Sequence, residues 1–131
     1  ENYLISSALL GVLAQRLVRV ICRTCIEPIE VAPALLAEID NPGQGSIKTF
    51  HGKGCKECNH TGFRGRAGIY ELLVVDDSVR KLILTKATSQ TIRESARKKG
   101  MTTLREDGWQ KVAKGVTTVE EVLRVTLNEQ T

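Results

Sequence analysis

Apolar residues crowd the first part of the chain. Ile5, Leu9, Leu13 and Leu17 recur every fourth position, and Leu10, Val12, Ala14 and Val18 fill the positions between. The four-residue spacing predicts a helix from Leu4 to Val18, apolar on nearly every side and therefore buried against something outside it. Gln15, Arg16 and Arg19 interrupt the band before "VRVIC". From Ile26 to Gly54 the pattern weakens. "APALLAEI" (Ala32 to Ile39) suits a short helix with Pro33 at its first position, "NPGQG" (Asn41 to Gly45) a turn, and the alternating "SIKTFH" a short strand. "GFRGRAGIYELLVV" starts as glycine-broken turns and becomes a strand or hairpin over Ala67 to Val74.

After Val74 the period changes to that of short helices. Asp77 caps a helix with Val79, Leu82 and Ile83 inward, and Thr88 or Ser89 starts a second with Ile92 and Ala96 inward. Basic "ARKKG" ends the second helix, and Gly100 supplies its left-handed cap. Thr103 to Glu106 and Thr118 to Glu121 read as capping boxes for a third and a fourth, the third closed by Gly115 and the fourth with Val119, Val122 and Leu123 inward. The pattern as a whole is α+β: a small tetracysteine, zinc-bound subdomain with short strands, followed by an α-helical C-terminal subdomain. The expected divisions are residues 1–20, 21–75 and 76–131.

Composition matters because the core is poor in rings. Only 4% of the 131 residues are aromatic, so a core of Leu, Ile, Val and Ala needs an added staple. The four cysteines supply a candidate, as two C-x-x-C pairs, Cys22/Cys25 and Cys55/Cys58. No basic n-region or cleavage site marks a secretory signal, so a reducing, cytoplasmic setting is expected. There such pairs read as metal ligands more readily than as disulfides. Leu4 to Ala14, the most apolar stretch, falls well short of the roughly 20 residues that span a bilayer.

Each two-residue spacer lets two sulfurs converge from one tight turn, and two such knuckles close a tetrahedral thiolate shell that suits structural zinc. The 29 residues between the pairs exceed the compact ribbon spacing, so that segment carries structure of its own. An iron–sulfur cluster shares the ligands but lacks its usual spacings. Thiol redox chemistry calls for one pair at a helix start rather than two pairs facing each other. His51 and His60 flank the second knuckle and either can replace a cysteine, although four thiols suffice. With every ligand position filled by sulfur, the metal has no place for substrate.

The formal charge of +4 falls to about +2 once four thiolates hold a divalent ion. Arg64 and Arg66, set among glycines in "GFRGRAG", offer planar donor forks for a carboxylate or phosphate partner. No G-x-x-x-x-G-K-[ST], H-E-x-x-H or nucleophile elbow occurs, so no catalytic residues are assigned. A nucleic-acid-binding zinc ribbon is an alternative, but aromatic residues are not interleaved with the basic ones. A zinc-dependent adaptor that docks a partner without transmitting work is another. The chain opens without Met, Met101 being its only one, and is expected to be a piece of a longer protein.

Three stretches, "LISSALLGVLAQRLVRVIC", "GCKECNHTGFRGRAGIYELLVVDD" and "TLREDGWQKVAKGVTTVEEVLRVT", span nearly the whole chain. Together they resemble the C-terminal part of the type II secretion ATPases (general secretion pathway E group) and type IV pilus assembly ATPases. The resemblance implies that Cys22, Cys25, Cys55 and Cys58 are structural zinc ligands. It implies that Arg64 and Arg66 contact neighbouring subunits or domains of a hexamer, and that Leu4 to Arg19 ends a RecA-like core. ATP and Mg would then bind only the parent protein, a cytoplasmic ATPase peripheral to the inner membrane. Its partners would be the inner-membrane platform and cytoplasmic-domain proteins of a secretion machine. No nucleic acid is expected, and the isolated piece is expected to be a monomer.

Overall fold

A computed structural model describes residues 7–31 and 48–127. In chain order these form strands β1 (Gly11–Ile21), β2 (Ile26–Ile29) and β3 (Thr49–Gly52), a 3-10 turn (Lys56–Cys58), and strand β4 (Phe63–Val74). Helices α1 (Asp77–Leu84), α2 (Ser89–Lys98), α3 (Leu104–Ala113) and α4 (Val119–Thr126) follow. The class is α+β. β1 pairs with β4, and β2 pairs antiparallel with β3, Ile26 opposite Gly52 and Ile29 opposite Thr49. The segments expected as a helix over Ala32 to Ile39 and a turn over Asn41 to Gly45 lie outside the described residues.

The helix expected from Leu4 to Val18 is strand from Gly11 onward; Ser7 and Ala8 are helical, and its first residues lie outside the described ones. Residues four apart share one face of a helix, but they also share one face of a strand, whose period is two. The spacing of Leu9, Leu13 and Leu17 therefore carried no discrimination. Val12, Val18, Val20 and Ile21 favour the extended state, and pairing with β4 decides it.

The glycine-broken turn expected before Ala67 is also strand, since β4 begins at Phe63. Leu10 O accepts from Val75 N, and Gly62 O accepts from Cys22 N, so the two strands are antiparallel. Between those two bonds β4 covers one residue more than β1 does. Gly65 lies within β4 at φ +86, where a side chain would be strained.

Two compact units divide the described residues. One comprises 7–15 with 70–104; the other comprises 16–31, 48–69 and 105–127. This grouping differs from the contiguous divisions at 20 and 75. Helices α3 and α4 belong with the cysteine-bearing strands, whereas α1 and α2 do not.

In the first unit, the Asp76 carboxylate caps α1 by accepting from Val79 N, one residue before the expected Asp77. Lys99 reaches the same carboxylate at 2.8 Å and holds it ionised below its usual range. Thr88 caps α2, whose chain leaves through Gly100 at φ +102. The buried Glu71 carboxylate takes both guanidinium nitrogens of Arg93 and the Leu104 N–H.

The second unit packs Val112, Val119 and Val122 together, with Val31, Trp109 and Leu123 against them. Gly108 has to be glycine here, because a Cβ would lie 2.5 Å from Val122 Cγ1. Thr118 caps α4 by accepting from Glu121 N. The Glu121 side chain does not complete the expected reciprocal box, however. It turns to Arg19 and Arg124 instead, because buried carboxylate oxygens gain more from cationic donors.

Candidate metal centre

The four cysteines lie where chain direction changes. Cys22 directly follows β1, Cys25 directly precedes β2, Cys55 precedes the 3-10 turn, and Cys58 ends it. Asn59 and His60 both take left-handed backbone at φ 54 and 61, which turns the chain back sharply after Cys58. Cys22 N donates to Gly62 O at 2.9 Å and Lys53 N to Cys25 O at 3.2 Å, so each knuckle is tied to the other.

That crossing leaves no room for side chains. A Cβ on Gly52 would stand 2.1 Å from the Gly62 carbonyl oxygen, and both groups are backbone. Gly52→Ala is therefore expected to cost about 2 kcal/mol or more and to weaken metal retention. Urea unfolding with zinc present checks this, and an unchanged midpoint contradicts it.

All four sulfurs lie within 4.8 Å of one another. Cys22 and Cys55 are separated by 3.8 Å, Cys25 and Cys58 by 3.8 Å, and Cys55 and Cys58 by 3.7 Å. A tetrahedron with zinc–sulfur bonds of about 2.3 Å has edges of about 3.8 Å. The thiols thus stand at zinc-tetrathiolate spacing, far beyond a disulfide bond length, and all four are free.

Backbone N–H groups aim at the sulfurs. Gly54 N donates to Cys25 Sγ at 3.3 Å, while Cys55 N and Gly62 N donate to Cys58 Sγ at 3.3 and 3.2 Å. These donors offset part of the charge that four thiolates and one divalent ion leave behind. Burial opposes ionisation of Cys58, but the Cys55 and Gly62 N–H groups and its thiol neighbours outweigh it and hold Cys58 down at about 6. Burial pushes Cys25 up to about 11, against the Gly54 N–H, with its thiol neighbours adding to the rise. Burial also opposes ionisation of Cys22, but its backbone and thiol hydrogen bonds outweigh it and hold Cys22 below the ordinary thiol range.

Neither histidine belongs to the cluster. His51 Nε2 lies 3.1 Å from Glu27 Oε1, and His60 is exposed. Arg64 and Arg66 are exposed on β4. Arg64 reaches Glu57 at 3.4 Å, and Arg66 makes no ion pair among the described residues.

A feature without a sequence signal joins the same unit. Glu121 on α4, with a side chain 3% exposed, accepts from Arg19 N at 2.8 Å and from the guanidinium groups of Arg19 and Arg124 at 2.9 Å. Burial opposes the charge on Glu121, but Arg124 and Arg19 overcome it and hold the carboxyl down at about 2. Arg19 also covers the Phe63 ring, 4.2 Å from its centroid. Beside them Thr117 Oγ1 donates to Arg19 O, Ile21 N to Val116 O and the Arg23 guanidinium to Gly115 O. The loop between α3 and α4 is thereby fastened to the strand leading into Cys22. The partners stand about a hundred residues apart in sequence, and nothing local announces the pairing.

Type II secretion system protein E of Pseudomonas aeruginosa is 48% identical over 129 residues, 98% of this chain and 26% of that protein. Type II secretion system ATPase E of Vibrio cholerae is 45% identical over 126 residues, 96% of this chain and 25% of that protein. Type IV pilus assembly ATPase PilB of Thermus thermophilus is 45% identical over 130 residues, 97% of this chain and 14% of that protein. The chain therefore spans about a quarter of the length of the first two relatives and less of the third. The family model for type II/IV secretion system proteins matches residues 1–124, and the chain belongs to that family.

Proposed function

We propose that the chain is the zinc-binding C-terminal module of a secretion ATPase that powers pseudopilus assembly and protein export by type II secretion. The equivalent part of a type IV pilus assembly ATPase is the variant reading. The observation that carries the proposal is the set of four free thiols at zinc-tetrathiolate spacing in a unit whose fully buried apolar side chains, among the described residues, are valines and isoleucines without a ring. Cys22, Cys25, Cys55 and Cys58 hold the metal, which supplies a crosslink between two turns and has no open position for chemistry. Nucleotide and Mg belong to the remainder of the longer protein. The module itself is structural: it stiffens a joint through which motion of that remainder reaches partners.

Two further features support the reading. Leu10, Val12, Leu13, Tyr70, Leu72 and Val74 on or beside β1 and β4 are exposed apolar residues, suited to being covered by the rest of a protein about four times as long. Arg66 is exposed, with no ion pair among the described residues, and suits a neighbouring subunit of a hexamer, with Arg64 beside it. Among the described residues no helix is long and apolar enough to cross a membrane. The module works in the cytoplasm at the inner membrane, reaching the platform through protein partners.

The test uses the full-length protein. Cys55→Ser is expected to unfold the module and stop secretion, whereas Arg66→Ala is expected to retain zinc and lose oligomer assembly. Normal secretion by the Cys55→Ser protein contradicts the coupling role, and unchanged assembly by Arg66→Ala removes the arginine from the interface.

A further inference from the structure

The second unit contains an open groove of about 440 Å³ whose lining holds none of the four cysteines and takes Arg19, Phe63 and Glu121 of the carboxylate cluster as one wall. That volume lies within the range of natural ligand sites, roughly 300–1,000 Å³. Its walls include Ile29, Val31, Phe50 and Phe63. Ile29 is 43% exposed, so apolar surface stands open to water there.

Charge on the lining is one-sided. Among the described residues Arg19 is the only Lys or Arg on it, against Glu30, Glu120 and Glu121. Arg19 is already engaged with Glu121, which Arg124 also neutralises. His51, also on the lining, is paired with Glu27. Glu30 and Glu120 remain, both exposed and neither in an ion pair among the described residues. The groove is acidic and apolar although the chain as a whole carries a formal charge of +4.

We infer that this groove docks a cationic, aliphatic peptide segment of a partner protein, apolar side chains against Ile29 and Phe50 and Lys or Arg against Glu30 and Glu120. A nucleic acid or an anionic lipid surface is repelled by the same carboxylates, whereas a purely apolar peptide leaves them unanswered. The inference goes beyond the proposed role by giving the module a recognition surface of its own.

The experiment measures fluorescence anisotropy of a labelled Gly-Lys-Leu-Ile-Arg-Gly peptide titrated with the zinc-loaded full chain. Zinc content is measured on the same samples, so loss of metal and loss of docking are read separately. Binding is expected to weaken as salt is raised and to be absent for the analogue with Glu in place of Lys and Arg. The Glu30→Lys/Glu120→Lys double variant is expected to bind about tenfold more weakly. Ile29→Ser, at an exposed wall position, is expected to weaken binding while keeping zinc and the wild-type circular dichroism spectrum. Equal binding of the acidic analogue, no loss in either variant, or no binding of the cationic peptide overturns the inference. So does binding that emerges only when residues 32–47 are replaced by a short linker, which assigns the groove to the chain's own segment.

Discussion

Cys58→Ser is expected to abolish tight zinc binding and to unfold the cysteine-bearing unit. Cys58 is buried, accepts two backbone N–H groups and touches the sulfurs of Cys25 and Cys55. A serine oxygen keeps the hydrogen bonds but is a protonated, hard donor at neutral pH and a poor zinc ligand. Changing groups that merely support metal ligands already costs roughly 10–100-fold in affinity, so loss of a ligand exceeds that. Structural zinc contributes about 10–16 kcal/mol in small metal-folded units, and here the buried apolar core that would remain is small, Val18, Ile21, Ile69, Val112, Val119 and Val122 among the described residues. Thermal unfolding with and without chelator checks the claim. Chelator lowers the wild-type transition sharply and leaves the variant's unchanged; a variant melting like wild type contradicts it.

Glu121→Gln is the second large effect, expected to cost about 2–3 kcal/mol. Every partner of this carboxylate is a donor: Arg19 N, the Arg19 guanidinium and the Arg124 guanidinium. An amide supplies one oxygen and turns an NH2 toward groups that also donate. The two arginines are about half exposed, so water recovers part of the loss, which keeps the figure below that of a fully buried pair. The effect depends on pH with a definite sign. The folded-state carboxyl sits near 2, below its ordinary 4.5, so its contribution is fully present above 4.5 and is lost as pH falls toward 2. The shift corresponds to at most about 3 kcal/mol. Urea unfolding of wild type and Glu121→Gln is expected to show a gap at neutral pH that narrows below 4.5. A gap independent of pH contradicts the assignment to the charged form.

The convergence of the four cysteines was legible because its signal is local: two C-x-x-C pairs fix the turn geometry within a few residues each. Helix starts were legible for the same reason, as with Thr88 and Thr118. The cap of α1 shifted by one residue, because adjacent Asp76 and Asp77 are chemically equal and only tertiary context, including Lys99, selects Asp76. β1 was not legible, since good helix formers at four-residue spacing satisfy both periods and only pairing with β4 breaks the tie. The clasp of Glu121 by Arg19 was invisible because a long-range ion pair leaves no pattern in a single sequence. It also explains why α3 and α4 group with the cysteines rather than with α1 and α2.

The most direct test of the account is native mass spectrometry of the purified 131-residue chain together with a count of reactive thiols. The predicted result is one zinc per chain, no thiol reactive until chelator is added, and unfolding of the cysteine-bearing unit as zinc leaves. A metal-free chain with four reactive thiols that stays folded and ignores chelator contradicts it.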